Sequence, residues 1–264
     1  PIATVVNQQQ RSVTPVAVQR DYVVRSLDRN LHSDFVSYLK LVVSDVDRIV
    51  DIVNIYQLGV TKDSHVIYWY IDKADVVRMG KVMAYKPDGH RDKSFTPLSI
   101  PKNLSIRGEL PTDYVIKQTL FGKYLLRNPS NGIKTIGIVE SEKSAAICSM
   151  CIPDVLWMAT GSKGNLQEER LGAIRERNTI LFPDIKTFVQ WRNRAMELNN
   201  KGWRLQVSDY LELVATGEQR QAKIDIADLL IESLLNKQKT HIAAITDMIQ
   251  GEFSVRKEQV YVLS

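Results

Sequence analysis

Beyond Gly132 the chain alternates short apolar or β-branched runs with stretches of helical spacing, and this alternation constrains the fold more than any other feature of its 264 residues. Residues 135–140, 155–159, 179–182 and 204–207 read as strands, and residues 144–150 and 188–198 read as helices between them. Strands separated by helices pair in parallel, because a parallel neighbour needs a crossover that returns the chain to the same edge of the sheet. The expected class is therefore α/β. Three of these strands run into a carboxylate at their C-terminal end, Glu140, Asp184 and Asp209. In open parallel sheets that edge is where ligands bind. Carboxylate oxygens there suit a hard cation such as Mg²⁺, and the same acids also serve as caps for the helices that follow.

The N-terminal half has a different pattern. Residues 1–20 are polar and β-branched, include Gln8, Gln9 and Gln10, and read as an extended arm. Residues 21–130 read as an α+β domain with a connector. Ser33 and Asp34 are N-cap residues for a helix carrying Phe35, Tyr38, Leu39 and Val42. Ser44 is placed to cap a second helix bearing Val46, Ile49, Val50, Val53 and Ile55, with Gly59 as its stop. Residues 65–71 and 76–85 form a predicted β-hairpin around the turn at residues 72–75, followed by the turn-forming Pro87, Asp88 and Gly89. Arg78, Lys81, Lys86, Arg91 and Lys93 cluster around this aromatic hairpin. Such a surface suits single-stranded nucleic acid through stacking and phosphate contacts, and an aromatic hairpin also packs on its own helices. Residues 95–130 contain Pro97, Pro101, Pro111 and Pro129 and read as a connector with a short helix at 113–126. The domain boundary is expected within it, leaving 131–264 as the parallel α/β domain with its terminal helices.

Charge and cysteine usage narrow the classes further. With 35 Lys and Arg against 30 Asp and Glu, the net charge is +5, and a polyanion is a suitable partner. No run of apolar residues is long enough for a membrane helix and no signal pattern opens the chain, so the expectation is a soluble, cytoplasmic protein without a membrane partner. Cys148 and Cys151 form a C-x-x-C without a second pair or a nearby histidine, which reads as two buried residues on one helix face. The loop at residues 160–164 lacks the spacing of a Walker A motif, and the four histidines are scattered. Residues 231–249 are amphipathic and are expected to pack on the sheet or on a partner helix.

The segment Gly137-Ile138-Val139-Glu140-Ser141-Glu142-Lys143-Ser144-Ala145 resembles the first motif of the TOPRIM domain of DNA primases and topoisomerases. Ile180-Leu181-Phe182-Pro183-Asp184-Ile185-Lys186 stands where that family places an Asp-x-Asp metal motif, and residues 224–230 are similar to a later aspartate-bearing element of phage-type primases. Residues 34–232 together resemble a family of TOPRIM-like proteins carried by bacterial mobile elements. The stretches that carry this resemblance are residues 55–61, 79–85, 120–126, 139–143 and 182–184. The resemblance implies a TOPRIM-like sheet preceded by a smaller helix-plus-hairpin domain, with Glu140 and Asp184 as catalytic residues. It implies Mg²⁺ or Mn²⁺ held by Glu140 and Asp184 with help from Asp209 or Asp225. Single-stranded DNA or RNA would be bound by the hairpin cations together with Lys143 and Lys163, and replication or mobilisation proteins are the implied protein partners. One departure stands out, because Lys186 occupies the position of the second aspartate. Two readings follow. One is a primase-type, Mg-dependent nucleotidyl or phosphoryl transferase of mobile-element or phage DNA metabolism. The other is a non-catalytic nucleic-acid-binding or partner-docking module in which an ammonium near Asp184 competes with the cation.

Overall fold

A computed structural model describes residues 15–132, 134–162, 164, 166–236 and 240–261, with side chains up to residue 251. The chain enters along residues 15–19, where the Val18 amide donates to Val77 O at 2.8 Å and both Val16 and Val18 are buried. Residues 15–19 of the expected arm are thus docked on the first sheet, and residues 1–14 lie outside the described residues. α1 (Arg20–Leu27) buries only Val23, too weak a stripe to be read from the sequence. Its Ser26 Oγ accepts from Trp69 Nε1 at 2.9 Å. α2 (Asp34–Val42) is capped by Ser33, whose Oγ accepts from the Val36 amide at 3.2 Å. α3 (Val46–Ile55) is capped by Asp45 rather than Ser44. This helix ends through Gln57, which takes the left-handed conformation at φ 47°, and Gly59 belongs to a strand. A side chain at 59 would meet Ser26 Cβ at 2.8 Å and Trp69 Nε1 at 2.9 Å, so close packing explains the glycine.

The first sheet is antiparallel, in the order β1 (Gly59–Val60), β2 (Val66–Ile71), β3 (Val77–Met83), β4 (Leu98–Ser99). The predicted hairpin is β2 and β3, paired from Val66 opposite Met83 to Ile71 opposite Val77. Asp72 shapes the turn by accepting the amides of Ala74 at 2.8 Å and Val76 at 3.1 Å on one carboxylate oxygen. Every residue of β2 is buried. α4 (Ile100–Ile106) follows. The helix expected at 113–126 does not form. Gly122, at φ 80°, breaks the run, and only the 3₁₀ helix Lys123–Arg127 remains. Phe121 instead pairs with Ala159, its amide donating to Ala159 O at 2.9 Å, which stitches the connector to the second sheet.

That second sheet is parallel throughout, in the order β6 (Leu156–Ala159), β5 (Ile136–Val139), β7 (Thr179–Leu181), β8 (Leu205–Val207). Its strands are the four read from the sequence. Side chains alternate between two faces with period two. Ile136, Ile138, Leu156, Met158 and Leu181 pack toward α7 (Phe188–Asn199) through Trp191, Ala195 and Leu198. Val139, Trp157, Ala159, Ile180 and Phe182 face α5 (Glu142–Cys151) and α10 (Ile226–Leu235). The short α6 (Glu168–Leu171) lies in the crossover from β6 to β7, and α8 (Tyr210–Val214) and α9 (Gly217–Ala222) join β8 to α10. The amphipathic terminal segment is two helices, α10 and α11 (Thr240–Tyr261), and Cys148 and Cys151 are buried free thiols on α5.

The two halves share one core. Phe35, Tyr56 and Tyr68 of the N-terminal half pack in the same cluster as Ala145, Trp157 and Leu230 of the C-terminal half. Tyr56 Oη also donates to Trp157 O at 2.7 Å. No helix among the described residues is long and apolar enough to cross a membrane.

Candidate functional site

The C-terminal ends of β5 and β7 bring Glu140 and Asp184 to one edge. Glu140 follows β5 directly and is 9% exposed. Its Oε1 accepts from Thr187 Oγ1 at 2.6 Å, and the same hydroxyl lies 2.8 Å from Asp184 O. Asp184 follows Phe182 and Pro183 and is half-buried. Asp225, the N-cap of α10, reaches the edge from the following helix pair. It accepts from the Asp228 amide at 3.1 Å and from Ser144 Oγ at 2.6 Å, while Asp228 accepts from the Asp225 amide at 3.0 Å. This is a reciprocal capping box with Asp228 in the glutamate position. Ser141 caps α5 by accepting from the Ser144 amide at 3.1 Å. Lys143 Nζ donates to Gly89 O at 3.3 Å and stands 3.8 Å from Asp228 Oδ1.

Four carboxylates therefore act on one another across this edge. Burial, followed by the charges of Asp225, Glu140 and Asp228, pushes the Asp184 carboxyl up to about 9, against the opposing pull of Lys143. Asp228 is also raised, by burial and then Asp225, with Lys143 again opposing. The cation that acts on Asp184 is thus Lys143. Lys186 takes the left-handed conformation at φ 77°, is exposed, and makes no ion pair among the described residues. Lys143, rather than the exposed Lys186, is the lysine named among the main charges that oppose the rise of Asp184.

The other expected ligands divide. Asp209 is exposed ahead of α8, and its charge is not among those that act most on Asp184. Asp225 is present, with both oxygens already accepting hydrogen bonds. Among the described residues no three His, Cys, Asp or Glu side chains converge as a metal cage. A cation of the Mg²⁺ type needs only one or two carboxylates and completes its shell with water and substrate phosphates, a demand that Glu140 and Asp184 fit by their oxygen chemistry and by their crowding.

The basic residues also divide. Arg78 Nε donates to Asp72 at 2.8 Å, and Lys81 Nζ to Glu142 at 2.8 Å, so two hairpin cations are held in internal ion pairs. Tyr68, Trp69 and Tyr70 are buried, and none offers a free stacking face. Lys86, Arg91 and Lys93 are exposed on the loop after β3, which closes through the Lys86 amide donating to His90 O at 2.8 Å. Because Gly89 of this loop receives Lys143, the exposed cations sit beside the acidic edge. Lys163 lies outside the described residues.

Several contributors escaped the sequence reading. Glu142, 2% exposed, binds Lys81 and accepts from Tyr70 Oη. Thr187 orients Glu140, and Asp228 completes the cluster. Asp228 had a usable signal, the Asp-x-x-Asp spacing of a capping box from residue 225. Glu142 had none, since its partners come from distant strands.

The model of the family described as Domain of unknown function (DUF6371) matches residues 33–185. The chain belongs to this family. No curated protein matches it by sequence. Among solved structures, this DUF6371 chain is similar to the Aquifex aeolicus primase (zinc binding and RNA polymerase domains), with a TM-score of 0.52 and 13% identity over 86% of this chain and 62% of that one. It is also similar to the RNA polymerase domain of Mycobacterium tuberculosis primase DnaG in complex with double-stranded DNA, with a TM-score of 0.50 and 12% identity over 84% and 78% of the two chains. The fold of this family member is that of a primase core with its TOPRIM sheet.

Proposed function

We propose that the protein binds nucleic acid as a primase-like component of mobile-element or phage DNA metabolism, and that Glu140 and Asp184 hold a divalent cation beside the bound strand. The observation that carries this is the crowding of Asp184, whose carboxyl is raised by burial and by three neighbouring acids with Lys143 as the opposing charge. Such a carboxyl at neutral pH takes either a proton or a cation. Mg²⁺ or Mn²⁺ bound there would supply charge stabilisation for phosphoryl transfer. The chain's own residues do the rest. Thr187 fixes Glu140 Oε1, Lys143 ties the α5 end to the basic loop, and Lys86, Arg91 and Lys93 present positive charge to phosphates on that side. The double-stranded DNA in the similar mycobacterial structure supports a nucleic acid as partner.

The non-catalytic reading rests on a separate observation. Asp225 and Asp228 are committed to capping α10, and Lys186 stands where the second metal aspartate would be. Glu140→Gln decides between them in a primer-synthesis assay on a single-stranded template with ribonucleotides and Mn²⁺. The transferase reading expects synthesis by the wild type and a loss of at least about a hundredfold in the variant, with an unchanged melting temperature. Absence of synthesis by the wild type, with single-stranded DNA still bound, would leave the binding module.

A further inference from the structure

A cavity of about 250 Å³ opens between the β2–β3 turn, the connector ahead of the 3₁₀ helix and Ala173 beyond α6. Its walls include Lys73, Lys117, Gln118, Thr119 and Lys123, and among the described residues Asp72 is the only acid that lines it. That acid is already satisfied, because one oxygen accepts from Arg78 Nε at 2.8 Å and the other from two turn amides. Lys73 and Lys117 are exposed and make no ion pair among the described residues. The net charge of the lining is therefore positive.

Two buried polar groups stand at this wall with atoms that lack a hydrogen-bond partner. Thr119 is 3% exposed, yet its Oγ1 has no hydrogen-bond partner. Buried hydroxyls are ordinarily bonded, and a turn of this side chain about Cα–Cβ toward the cavity would let the hydroxyl meet a polar guest there. Behind it, Arg170 is 4% exposed and bonds Thr160 O at 2.5 Å and Gln118 Oε1, with Nε unpartnered and no carboxylate in ion-pair range among the described residues. A buried guanidinium without a counter-ion adds to the positive potential. Lys123 donates to Arg170 O at 3.4 Å, and its ammonium is held below the ordinary lysine value by burial, with Lys117 and Arg170 adding to the effect against Asp72 and Glu169.

We propose that this cavity is a phosphate-binding subsite in which Lys117, Lys123 and the Thr119 hydroxyl hold one phosphate group, carried by a nucleic-acid backbone or by a free nucleotide. Its size falls below the roughly 300–1,000 Å³ of small-molecule sites, which suits a single charged group rather than a whole ligand. Arg170 links the cavity to Thr160 at the end of β6, on the same edge of the sheet as Glu140. The backbone source deepens the nucleic-acid reading above and rests on it. The nucleotide source does not.

The test uses the full chain, inorganic phosphate, a ribonucleotide and a single-stranded DNA oligonucleotide. Wild type is compared with Thr119→Val, with Lys117→Met, which removes an exposed residue, and with Lys117→Met/Lys123→Met. Phosphate should shift the amide resonances of Gln118 and Thr119, and Thr119→Val should weaken that response. If the source is a backbone, the double variant should lose about tenfold in DNA affinity near physiological salt, and the slope of log affinity against log salt should fall by about 0.7, the share of one phosphate on a single strand. Phosphate and nucleotide binding that the variants lose, with DNA affinity unchanged, would assign the site to free nucleotides. Unshifted amides with unchanged DNA affinity in every variant would overturn the subsite while leaving the nucleic-acid reading standing. A wild type that binds phosphate but no DNA would overturn that reading and keep the subsite.

Discussion

Burial and three neighbouring acids act on Asp184, and its ionisation gives a direct handle on this edge of the sheet. The folded protein raises its pKa to about 9, whereas an unfolded aspartate titrates near 3.9. A raised pKa means that the stability tied to the protonated form is fully present below about pH 4 and is lost as pH rises through the folded value. Asp184→Asn removes this loss. Urea midpoints at pH 4.5 and pH 9 should therefore diverge, with the variant gaining on the wild type by at least about 1.4 kcal/mol at the higher pH, the worth of one pKa unit. Equal midpoints at both pH values would mean that the acids do not press on Asp184. The sequence placed Glu140 and Asp184 at strand ends because apolar runs terminate there. It could not place Asp209, because whether a strand-end acid turns toward its neighbours depends on the helix that follows. Nor could it locate the Lys186 side chain, whose backbone takes the left-handed conformation.

Between elements, the decisive contact is Lys81 of β3 against Glu142 of α5. Glu142 is 2% exposed, and Lys81 and Tyr70 are its charged and hydroxyl partners. Removing one member of a buried pair strands the other charge, at a cost of about 3–5 kcal/mol, whereas replacing both is far milder. Lys81→Met should lower stability by about 3 kcal/mol, and Lys81→Met/Glu142→Gln should recover more than half of it, as a double-mutant cycle in urea would show. Additive losses would mean that the two side chains do not meet. The hairpin itself was legible from β-branched and aromatic runs around a turn, but its cations were not separable into internal and external sets. Arg78 and Lys81 are consumed inside, while Lys86, Arg91 and Lys93 stay exposed, a division set by partners 6 and 61 residues away for the first two. The connector misled for a related reason. Its apolar residues mark pairing with the β6 edge through Phe121, a tertiary contact that overrides the helical spacing of the run.

For the whole molecule, the sequence suggested two domains, and the packing joins them. Phe35, Tyr56, Phe121, Trp157 and Leu230 belong to one cluster that crosses the expected boundary. Trp69 lies in the cluster around the first sheet, whereas Trp191 and Trp203 lie beyond the second. Unfolding followed by tryptophan fluorescence and by far-UV circular dichroism should give coincident, single transitions. Two resolved transitions would show that the halves unfold separately. The parallel sheet was legible strand by strand, since hydrophobic runs bounded by acids and turns survive any context. The small first-sheet strands and the helices α1, α6, α8 and α9 were not, because each is too short for periodicity to register.

The most direct test of the account is calorimetric titration of Mn²⁺ into the wild type and into Glu140→Ala/Asp184→Ala at pH 7, in two buffers of different ionisation enthalpy. The account predicts binding by the wild type with release of close to one proton, as the cation displaces the proton on Asp184, and loss of both binding and proton release in the variant. Binding without proton release, or equal binding by both proteins, would contradict a cation at this edge.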